Sequence, residues 1–337
     1  MRIAVDGMGG DHAPAEIVKG CAEASRLMEH EILLVGDERA LREELSRYEY
    51  PKEQITVVHA SEVITGEDAP VKAIRTKSDS SLVKGINLVK SGEADLILSA
   101  GNTGAIMAGG LLLLGRIPGI DRPAIASTYP ILGKGFSLLV DSGANAECKP
   151  RNLLEFAVMG SLYMEKVFGM SLPRVGLVNI GTEEGKGTAT LKTVFGMLKQ
   201  SSLNFVDNVE AREVPAGVCD VVVCDGFVGN TILKLSEGLA WSILHLMKQK
   251  FTESAASKMG AMMLSGKLRE MKSEFDYSSY GGAPILGVKG AVIKVHGSSN
   301  AEAVKNGIIK AIPYVENHVV QMIQESVAEL EEIAQGE

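Results

Sequence analysis

The sequence predicts an α/β protein in which helices cover both faces of a mostly parallel sheet. Seven short runs of aliphatic residues each end abruptly in Gly, Asp, Asn, Ser or His, and a helical pattern follows. The runs are continuously apolar, without alternating polar residues, which is typical of strands that are buried on both faces. The chain also has 37 glycines but only 5% aromatic residues. That balance suits many tight turns between strands and helices.

The predicted strands, in chain order, are 3–5, 32–35, 96–98, 138–140, 176–180, 221–224 and 292–295. The stretch from about 239 to 275 interrupts this alternation, because it has helical spacing and contains no strand run. Residues 301–334 predict two helices that separate near Pro313. We therefore expect residues 1–337 to form a single α/β unit of two coupled lobes, with a projecting helical segment at 239–280.

Charge and composition exclude several classes of protein. The formal net charge is −8, which disfavours non-specific binding to nucleic acid, and no zinc-finger or helix-turn-helix signature is present. The four cysteines form no Cys-x-x-Cys pair, so we expect reduced thiols and a cytoplasmic protein. The longest apolar run, 105–114, is about half of the roughly 20 residues that a membrane-spanning helix needs. No nucleic-acid partner and no membrane span are expected.

Polar residues that follow buried strands are the first candidates for chemistry, because ligands of open α/β sheets bind outside the carboxyl ends of the strands. Asn102 and Thr103 lie between a strand and a helix made of small residues, where backbone N–H groups can hold an anion. The alternative is that one of them only caps the helix. Lys186 lies in a glycine-rich loop that misses the nucleotide-binding P-loop pattern by spacing and by Gly187. Its ammonium group can still reach a phosphate, or it can simply be solvated.

Other familiar site patterns are missing. Gly7-Met8-Gly9-Gly10 is not a dinucleotide fingerprint, and there is no Gly-x-Ser-x-Gly elbow. Asp141 and Asp225 end strands, but no recognised metal-ligand spacing accompanies them. We expect these carboxylates to fix loops and bind substrate by hydrogen bonds, with no metal and no cofactor. Cys148 could accept an acyl group, although a single cysteine is more often a packing residue.

Taken together, the loops resemble those of the bacterial phosphate acyltransferases. The similar segments run in the same order through almost the whole chain: 6–11 with Pro14, 99–104, 140–145, 179–187, 225–230 and 296–297. The resemblance implies a two-lobed α/β/α fold like that of isopropylmalate dehydrogenase and phosphotransacetylase, in a homodimer. It also implies transfer of a long-chain acyl group from acyl-carrier protein to inorganic phosphate. The acyl phosphate would then serve a membrane glycerol-3-phosphate acyltransferase in phospholipid synthesis.

Candidate roles within this reaction follow from chemistry. A bound, oriented phosphate is a competent nucleophile, and the site must also stabilise the oxyanion that forms at the thioester carbonyl. The candidates that we assign to catalysis are Lys186, Asn145, Asn230 and His296. The candidates that we assign to substrate binding are Asn102, Thr103, Asp141, Glu183, Asp225, Lys72 and Arg75.

Three other interpretations stay open on the residues alone. A phosphotransacetylase would use a coenzyme A thioester, and a metal-dependent decarboxylating dehydrogenase would need clustered Asp ligands and a cofactor site. A non-enzymatic membrane scaffold would account for the helical segment but would leave the polar strand ends without a role.

Two surface segments are candidates for contact with larger partners. Residues 71–90 contain five cations and one acid, a net charge of 5 − 1 = +4 that could attract an acidic carrier protein or could simply be a solvated face. Residues 254–275 combine an apolar stripe with interleaved lysines and several methionines. Such a segment can lie on a membrane surface, or it can pack against a second copy of the chain.

Overall fold

The computed structural model describes residues 1–131, 133, 135–274 and 281–335. An 11-stranded sheet runs through this part of the chain. Its strands are β1 (Arg2–Asp6), β2 (Glu31–Gly36), β3 (Ile55–His59), β4 (Leu96–Ser99), β5 (Ala124–Ile131), β6 (Gly135–Val140), β7 (Val175–Asn179), β8 (Phe205–Glu210), β9 (Val221–Val223), β10 (Ala283–Leu286) and β11 (Ala291–Lys294). All seven predicted runs form strands. Four further strands, β3, β5, β8 and β10, were not predicted, because polar or proline residues interrupt their apolar pattern.

Helices connect the strands and cover the sheet. They are α1 (Ala15–Ser25), α2 (Glu38–Leu45), α3 (Pro70–Thr76), α4 (Ser81–Ser91), α5 (Thr103–Gly109), α6 (Pro150–Phe168), α7 (Ala189–Gln200), α8 (Gly226–Thr252), α9 (Ala255–Met263), α10 (Ser265–Glu274), α11 (Ala301–Glu316) and α12 (Val319–Gln335). A π-helical turn, Gly110–Leu114, extends α5. Helix α11 passes through Pro313 and ends at Glu316, so the break between the last two helices lies a few residues after the proline.

The strand order is β3-β2-β1-β4-β11-β10-β5-β6-β9-β7-β8. Strands β3, β2, β1, β4 and β11 pair in parallel, and so do β6, β9, β7 and β8. The three pairings between these halves, β11–β10, β10–β5 and β5–β6, are antiparallel. The prediction of a mostly parallel α/β sheet is therefore confirmed, and the two parallel halves run in opposite directions.

The register of the central strands brings the carboxyl ends of both halves together. Lys294, the last residue of β11, pairs with Ala283 of β10, and two residues further along β10 Ile285 pairs with Ile125 of β5. The next residue of β5, Ala126, pairs with Val140, the last residue of β6. Lys294 and Val140 thus lie within about one residue of the same level along the strand direction. The loops that follow both halves meet at this junction.

Both faces of the sheet are buried, as the continuous apolar runs predict. Within β1, Ile3 and Val5 belong to a core with α1, α6 and α11, whereas Ala4 belongs to a core on the opposite face with α4 and α5. All three side chains are inaccessible to solvent. The burial of apolar side chains on both faces of the sheet is the main favourable contribution to the free energy of folding.

The helix that leads into the predicted segment 239–280 is α8. Helix α8 starts at Gly226, next to the junction, and continues for 27 residues, a length of about 40 Å at 1.5 Å per residue. Among the described side chains, none beyond Ile232 is buried in α8, α9 or α10. No described helix is long and apolar enough to cross a membrane.

Candidate active site

A cleft of about 340 Å³ opens where the carboxyl ends of the two halves meet. A cleft of this size can hold a small anion and a reacting carbonyl group. Residues from β5, β10 and β11, from the segment before β10, from the loops after β6 and β11, and from α5 and α8 line it. They are Thr103, Ile125, Ser127, Thr128, Ser142, Gly143, Asn230, Leu233, Lys234, Glu237, Gly281, Ala283, Lys294, Val295 and His296.

The end of β11 contributes two of the basic groups. Lys294 is partly buried, and its Nζ donates to the backbone oxygen of Val295 at 2.9 Å. Burial and the nearby charge of Lys234 lower the pKa of Lys294 to about 8. Burial, together with the charges of Lys234 and Lys294, also lowers the pKa of His296 below its ordinary value. His296 Nδ1 accepts from the backbone N–H of Ser298 at 3.3 Å and lies 2.8 Å from Ser298 Oγ, an arrangement that fits a neutral ring with its proton on Nε2.

The first three turns of α8 contribute the opposite wall. Asp225 caps this helix by accepting from the backbone N–H of Val228 at 2.8 Å. Gly229 lets the helix approach closely, because a Cβ at this position would overlap the backbone oxygen of Asp141. The next residue, Asn230, therefore faces the cleft. One turn further, Lys234 Nζ lies 2.7 Å from Oε2 of Glu237, and both side chains line the cleft.

The loop after β6 is held by the carboxylate of Asp141. This side chain is inaccessible to solvent and accepts backbone N–H groups from Ile125, Gly143, Ala144 and Asn145. The side-chain amide of Asn145 donates to the same carboxylate at 2.9 Å and to Pro123 O at 2.8 Å. Burial raises the pKa of Asp141, and these donors oppose the rise. Asp141 and Asn145 are thus bonded to the protein itself, and neither side chain is part of the cleft lining.

Hydroxyl groups continue from this loop into the cleft. Ser142 Oγ donates to Ile125 O at 3.1 Å, and its oxygen lies 2.7 Å from Ser127 Oγ. The loop after β4 adds Thr103, which is exposed at the start of α5. Its neighbour Asn102 caps α5 by accepting from Ala105 N at 3.1 Å, and its amide donates to Gly66 O at 3.1 Å.

The glycine-rich loop after β7 lies outside this cleft. Lys186 and Glu183 are both exposed there, with Nζ and Oε1 3.8 Å apart. Asn179 supports the loop by donating to Lys186 O at 3.2 Å. The structure thus brings Thr103, Asn230 and His296 together in the cleft, and it places Lys186 and Glu183 elsewhere at this sheet edge. Their functional assignments stay predictions.

Sequence reasoning missed Lys234, Glu237 and Lys294, together with the hydroxyls of Ser127, Thr128 and Ser142. Lys294 looked like an ordinary residue of an apolar strand, and only its place as the last residue of that strand could have drawn attention to it. Lys234 and Glu237 lie two to three turns into a helix, beyond the strand ends at which ligands of α/β sheets are expected. The hydroxyls on β5 belong to a strand that was not predicted.

A covalent acyl-enzyme and a metal centre are the two alternative kinds of site. Cys148 Sγ lies 3.8 Å from Asn145 O and does not line the cleft. Burial and the charges of Asp141 and Asp225 raise the pKa of this thiol to about 12, so it is protonated and a poor nucleophile at neutral pH. Among the residues that the structure describes, no three His, Cys, Asp or Glu side chains cluster as a metal site would require.

Comparisons of sequence agree with the motifs. A family model described as fatty acid synthesis protein matches residues 1–322. A protein of Alkaliphilus oremlandii named phosphate acyltransferase is 54% identical over 330 residues, which is 98% of each chain. A protein of Clostridioides difficile with the same name is 48% identical over 332 residues, again 98% of each chain.

Solved structures show the same fold at low sequence identity. A phosphotransacetylase from Streptococcus pyogenes superposes with a TM-score of 0.64 and 17% identity over 94% of each chain. A second phosphotransacetylase, EutD from Staphylococcus aureus, gives 0.60 and 16% over the same share. The phosphotransacetylase-like fold is therefore confirmed. The match along the whole chain shows that the protein belongs to the fatty acid synthesis protein family, among the bacterial phosphate acyltransferases, which are enzymes of the acyltransferase class.

Proposed function

We propose that this protein transfers a long-chain fatty acyl group from an acyl-carrier-protein thioester to inorganic phosphate. The observation that supports this most directly is the cleft between the two halves. It combines the ammonium groups of Lys234 and Lys294 with a neutral imidazole, an amide and several hydroxyls. Cations with hydroxyl donors suit a phosphate dianion, and uncharged N–H donors suit the oxyanion of a thioester under attack.

The proposed step is a direct displacement at the thioester carbonyl. A phosphate oxygen forms a bond to the carbonyl carbon, and the negative charge moves to the carbonyl oxygen. Asn230 and the Nε2–H of His296 are the proposed donors to that oxyanion. The C–S bond then breaks, the oxyanion collapses to the acyl phosphate, and the carrier thiolate leaves and takes a proton from solvent. A thiol with a pKa near 8.5 leaves readily enough without a strong general acid.

Direct attack is favoured over a covalent acyl-enzyme. Cys148 lies outside the cleft lining, and its raised pKa keeps the sulfur protonated. If the reaction used this thiol, Cys148→Ser would abolish it. We expect Cys148→Ser to keep most of the activity, while Asn230→Ala and His296→Ala each lose about 10²–10³ in rate. Loss of activity in Cys148→Ser with tolerance of both alanine variants would contradict direct attack.

The activity can be tested with purified protein, phosphate and two acyl donors. Long-chain acyl-carrier protein should give acyl phosphate and free carrier thiol in equal amounts. Acetyl-coenzyme A is the control, because a short-chain phosphotransacetylase would use it. A preference for acetyl-coenzyme A would overturn the assigned donor, and thiol release without phosphate consumption would indicate a hydrolase.

The carrier protein is proposed to dock on α3. Lys72 and Arg75 are exposed there and border a shallow apolar depression with Pro70 and Val71. Two other cations of the basic stretch are already paired: Lys77 with Asp68 at 2.7 Å, and Lys84 with Asp79 at 2.6 Å. Helix α3 packs against α5, whose first residue, Thr103, lines the cleft. A carrier bound to α3 would thus be close to the reacting groups.

Charge reversal tests this surface. Lys72→Glu with Arg75→Glu should raise the KM for acyl-carrier protein and weaken its dependence on salt, because exposed charges steer an acidic partner. Lys90→Glu is the matched control, since Lys90 is exposed at the far end of α4. An unchanged KM in the double variant would place docking elsewhere.

The projecting helices are proposed to serve a homodimer and the membrane surface. Helix α8 exposes Leu235, Leu239, Trp241, Ile243 and Leu246, while the α9 tip exposes Met259, Met262, Met263 and Leu264. We assign the α8 set to a contact between two copies, and the tip, with nearby Lys258 and Lys267, to peripheral contact with anionic lipid. Phe275, at the end of the predicted stripe 254–275, lies outside the described residues, and so do the side chains of Arg269 and Lys272. Such a cytoplasmic, membrane-associated dimer would release acyl phosphate near a membrane glycerol-3-phosphate acyltransferase.

Vesicle binding separates these two roles. Met263→Glu with Leu264→Glu should remove binding to anionic vesicles and leave the dimer intact. Leu239→Glu should weaken the dimer instead, as sedimentation would show. If the tip variant dissociated the dimer, or the wild type bound no anionic vesicles, the membrane assignment would be wrong.

A further inference from the structure

One cation in the cleft, Lys294, has no carboxylate partner among the residues that the structure describes. Lys234 is paired with Glu237 at 2.7 Å. Lys294 forms no ion pair with any residue that the structure describes, and its one described hydrogen bond is to the backbone oxygen of Val295, the next residue along the chain. An ammonium group has three donors, and burying a positive charge without a counter-charge is unfavourable.

Further charged groups reach Lys294 from the elements around it. From α8, Lys234 opposes its charge and Glu237 supports it, and Asp11, in the loop after β1, also supports it. His296, on the same loop as the end of β11, is held mainly neutral by its lowered pKa. The partners of Lys294 in the sheet are Ser99 and Ala283, which carry no charge. Among the described residues that line the cleft, one carboxylate, Glu237, faces the two ammonium groups of Lys234 and Lys294, and it is paired with Lys234.

The position of Lys294 matches what an anion-binding residue needs. It is the last residue of a strand buried in the sheet, so its Cα is fixed by pairing on both sides. Its side chain lines the cleft together with Ser127, Thr128 and Ser142. A tetrahedral anion in this space would meet a cation on one side and hydroxyl donors on the other.

From this geometry we propose that Lys294 is the principal phosphate-binding residue of the cleft and sets the enzyme's affinity for its anionic substrate. This inference deepens the proposed function and rests on phosphate as the acyl acceptor. The lowered pKa of Lys294 adds a consequence, because a group that titrates near pH 8 loses its charge in mildly alkaline solution. Anion affinity should therefore fall as the pH rises through about 8.

Binding of inorganic phosphate, measured by calorimetry without any acyl donor, tests the proposal apart from catalysis. Lys294→Met should weaken binding at pH 7.5 by about tenfold or more. Lys289→Met is the matched control, because Lys289 is exposed at the opposite end of β11 and should bind as the wild type does. If Lys294→Met bound phosphate as tightly as the control, the proposal would be overturned.

Lys294→Arg distinguishes charge from structure. Arginine stays protonated in proteins, so this variant should keep binding and should hold its affinity at pH 9, where the wild type loses it. Sulfate is the second probe, since its charge does not change over this range, whereas that of phosphate does near pH 7. Parallel loss of sulfate affinity in wild type and Lys294→Arg would refute the role of Lys294. Failure of Lys294→Met to fold would leave the decision to Lys294→Arg.

A failure of the proposed function would give a different experimental result from a failure of the Lys294 proposal. If phosphate binding depends on Lys294 but no acyl phosphate forms from acyl-carrier protein, the anion site stands and the assigned reaction is wrong. If acyl phosphate forms normally in Lys294→Met, with an unchanged KM for phosphate, the reaction stands and Lys294 is not its anion-binding residue.

Discussion

The loop after β6 and the end of β11 lie at the same level of the sheet, yet their polar groups are in opposite states. Asp141 accepts four backbone N–H groups and one amide, and every one of these bonds is internal. Lys294 has one described bond, to its own neighbour, and faces a cleft. A strand-end residue that is saturated by its own chain holds the loop in place. A charged strand-end residue whose hydrogen-bonding groups are not all used by its own chain is available to a ligand.

The largest effect expected from this comparison is on stability at Asp141. Replacing Asp141 by Ala would remove the acceptor of four backbone N–H groups, of which that of Ile125 is buried and the other three are part-buried, and would break one of the two bonds of the Asn145 amide. We expect the free energy of unfolding to fall by about 3–5 kcal/mol, as when one partner of a buried charged network is removed. Asn145→Ala removes only the side-chain amide, with its bonds to Asp141 and to Pro123 O, and should cost about 1–2 kcal/mol. Urea unfolding of both variants checks the order, and equal small losses would show that the network does not hold the loop.

Replacing Lys294 should have the opposite effect, an increase in the free energy of unfolding. Its pKa is about 8 in the folded protein and about 10.5 unfolded, a difference of roughly 2.5 units or about 3 kcal/mol at 1.36 kcal/mol per unit. The unfolded chain binds more protons between these values, so wild-type stability rises as the pH rises from about 8 to 10.5, and the full penalty applies below pH 8. Partial exposure reduces the effect. We therefore expect Lys294→Met to be about 1–2 kcal/mol more stable than wild type at pH 7.

The pH dependence of this gain separates charge from packing. The advantage of Lys294→Met over wild type should shrink toward pH 10.5, where the lysine is neutral in both states. Lys289→Met should show no such trend, because Lys289 is exposed. A gain of constant size across this range would attribute it to the packing of the methionine side chain.

The difference between polar residues that bond to their own chain and those that face the cleft also explains which features the sequence can predict. Continuous apolar runs such as those of β1 and β11 identify buried parallel strands, and the polar residues after them identify the functional edge of the sheet. Whether a polar residue there is saturated depends on contacts between distant segments. Asn145, for example, reaches the backbone of Pro123, 22 positions away. Asn102 and Asn230 both follow strands in the sequence. In the fold, Asn102 caps a helix, whereas Asn230 faces the cleft.

Alanine variants of Asn102 and Asn230 test the same difference between an internally bonded residue and one that faces the cleft, with smaller expected effects on stability. Asn102→Ala removes a helix cap and a bond to Gly66, and should cost about 1 kcal/mol of stability. Asn230→Ala should leave stability within about 0.5 kcal/mol, because Asn230 is exposed, but should slow acyl transfer about 10²–10³-fold if it contacts the oxyanion. Thermal unfolding and initial rates, measured on both variants, check the contrast. Loss of stability without loss of rate in Asn230→Ala would mean that it acts like Asn102.

Replacing Lys186 is expected to have the smallest effect on the free energy of unfolding. It is half exposed, and its distance of 3.8 Å from Glu183 is that of a weak surface pair, which contributes about 0–1 kcal/mol. Lys186→Ala should therefore unfold within about 0.5 kcal/mol of wild type. If the glycine loop brings this ammonium group to the bound anion, the variant should still raise the KM for phosphate and lower the turnover. Lys199→Ala is the matched control, since Lys199 is an exposed lysine in a similar surface pair, with Glu184 at 3.1 Å, and has no assigned role in binding. A KM and turnover equal to those of wild type in Lys186→Ala would remove Lys186 from the phosphate site and leave binding to the cations of the cleft.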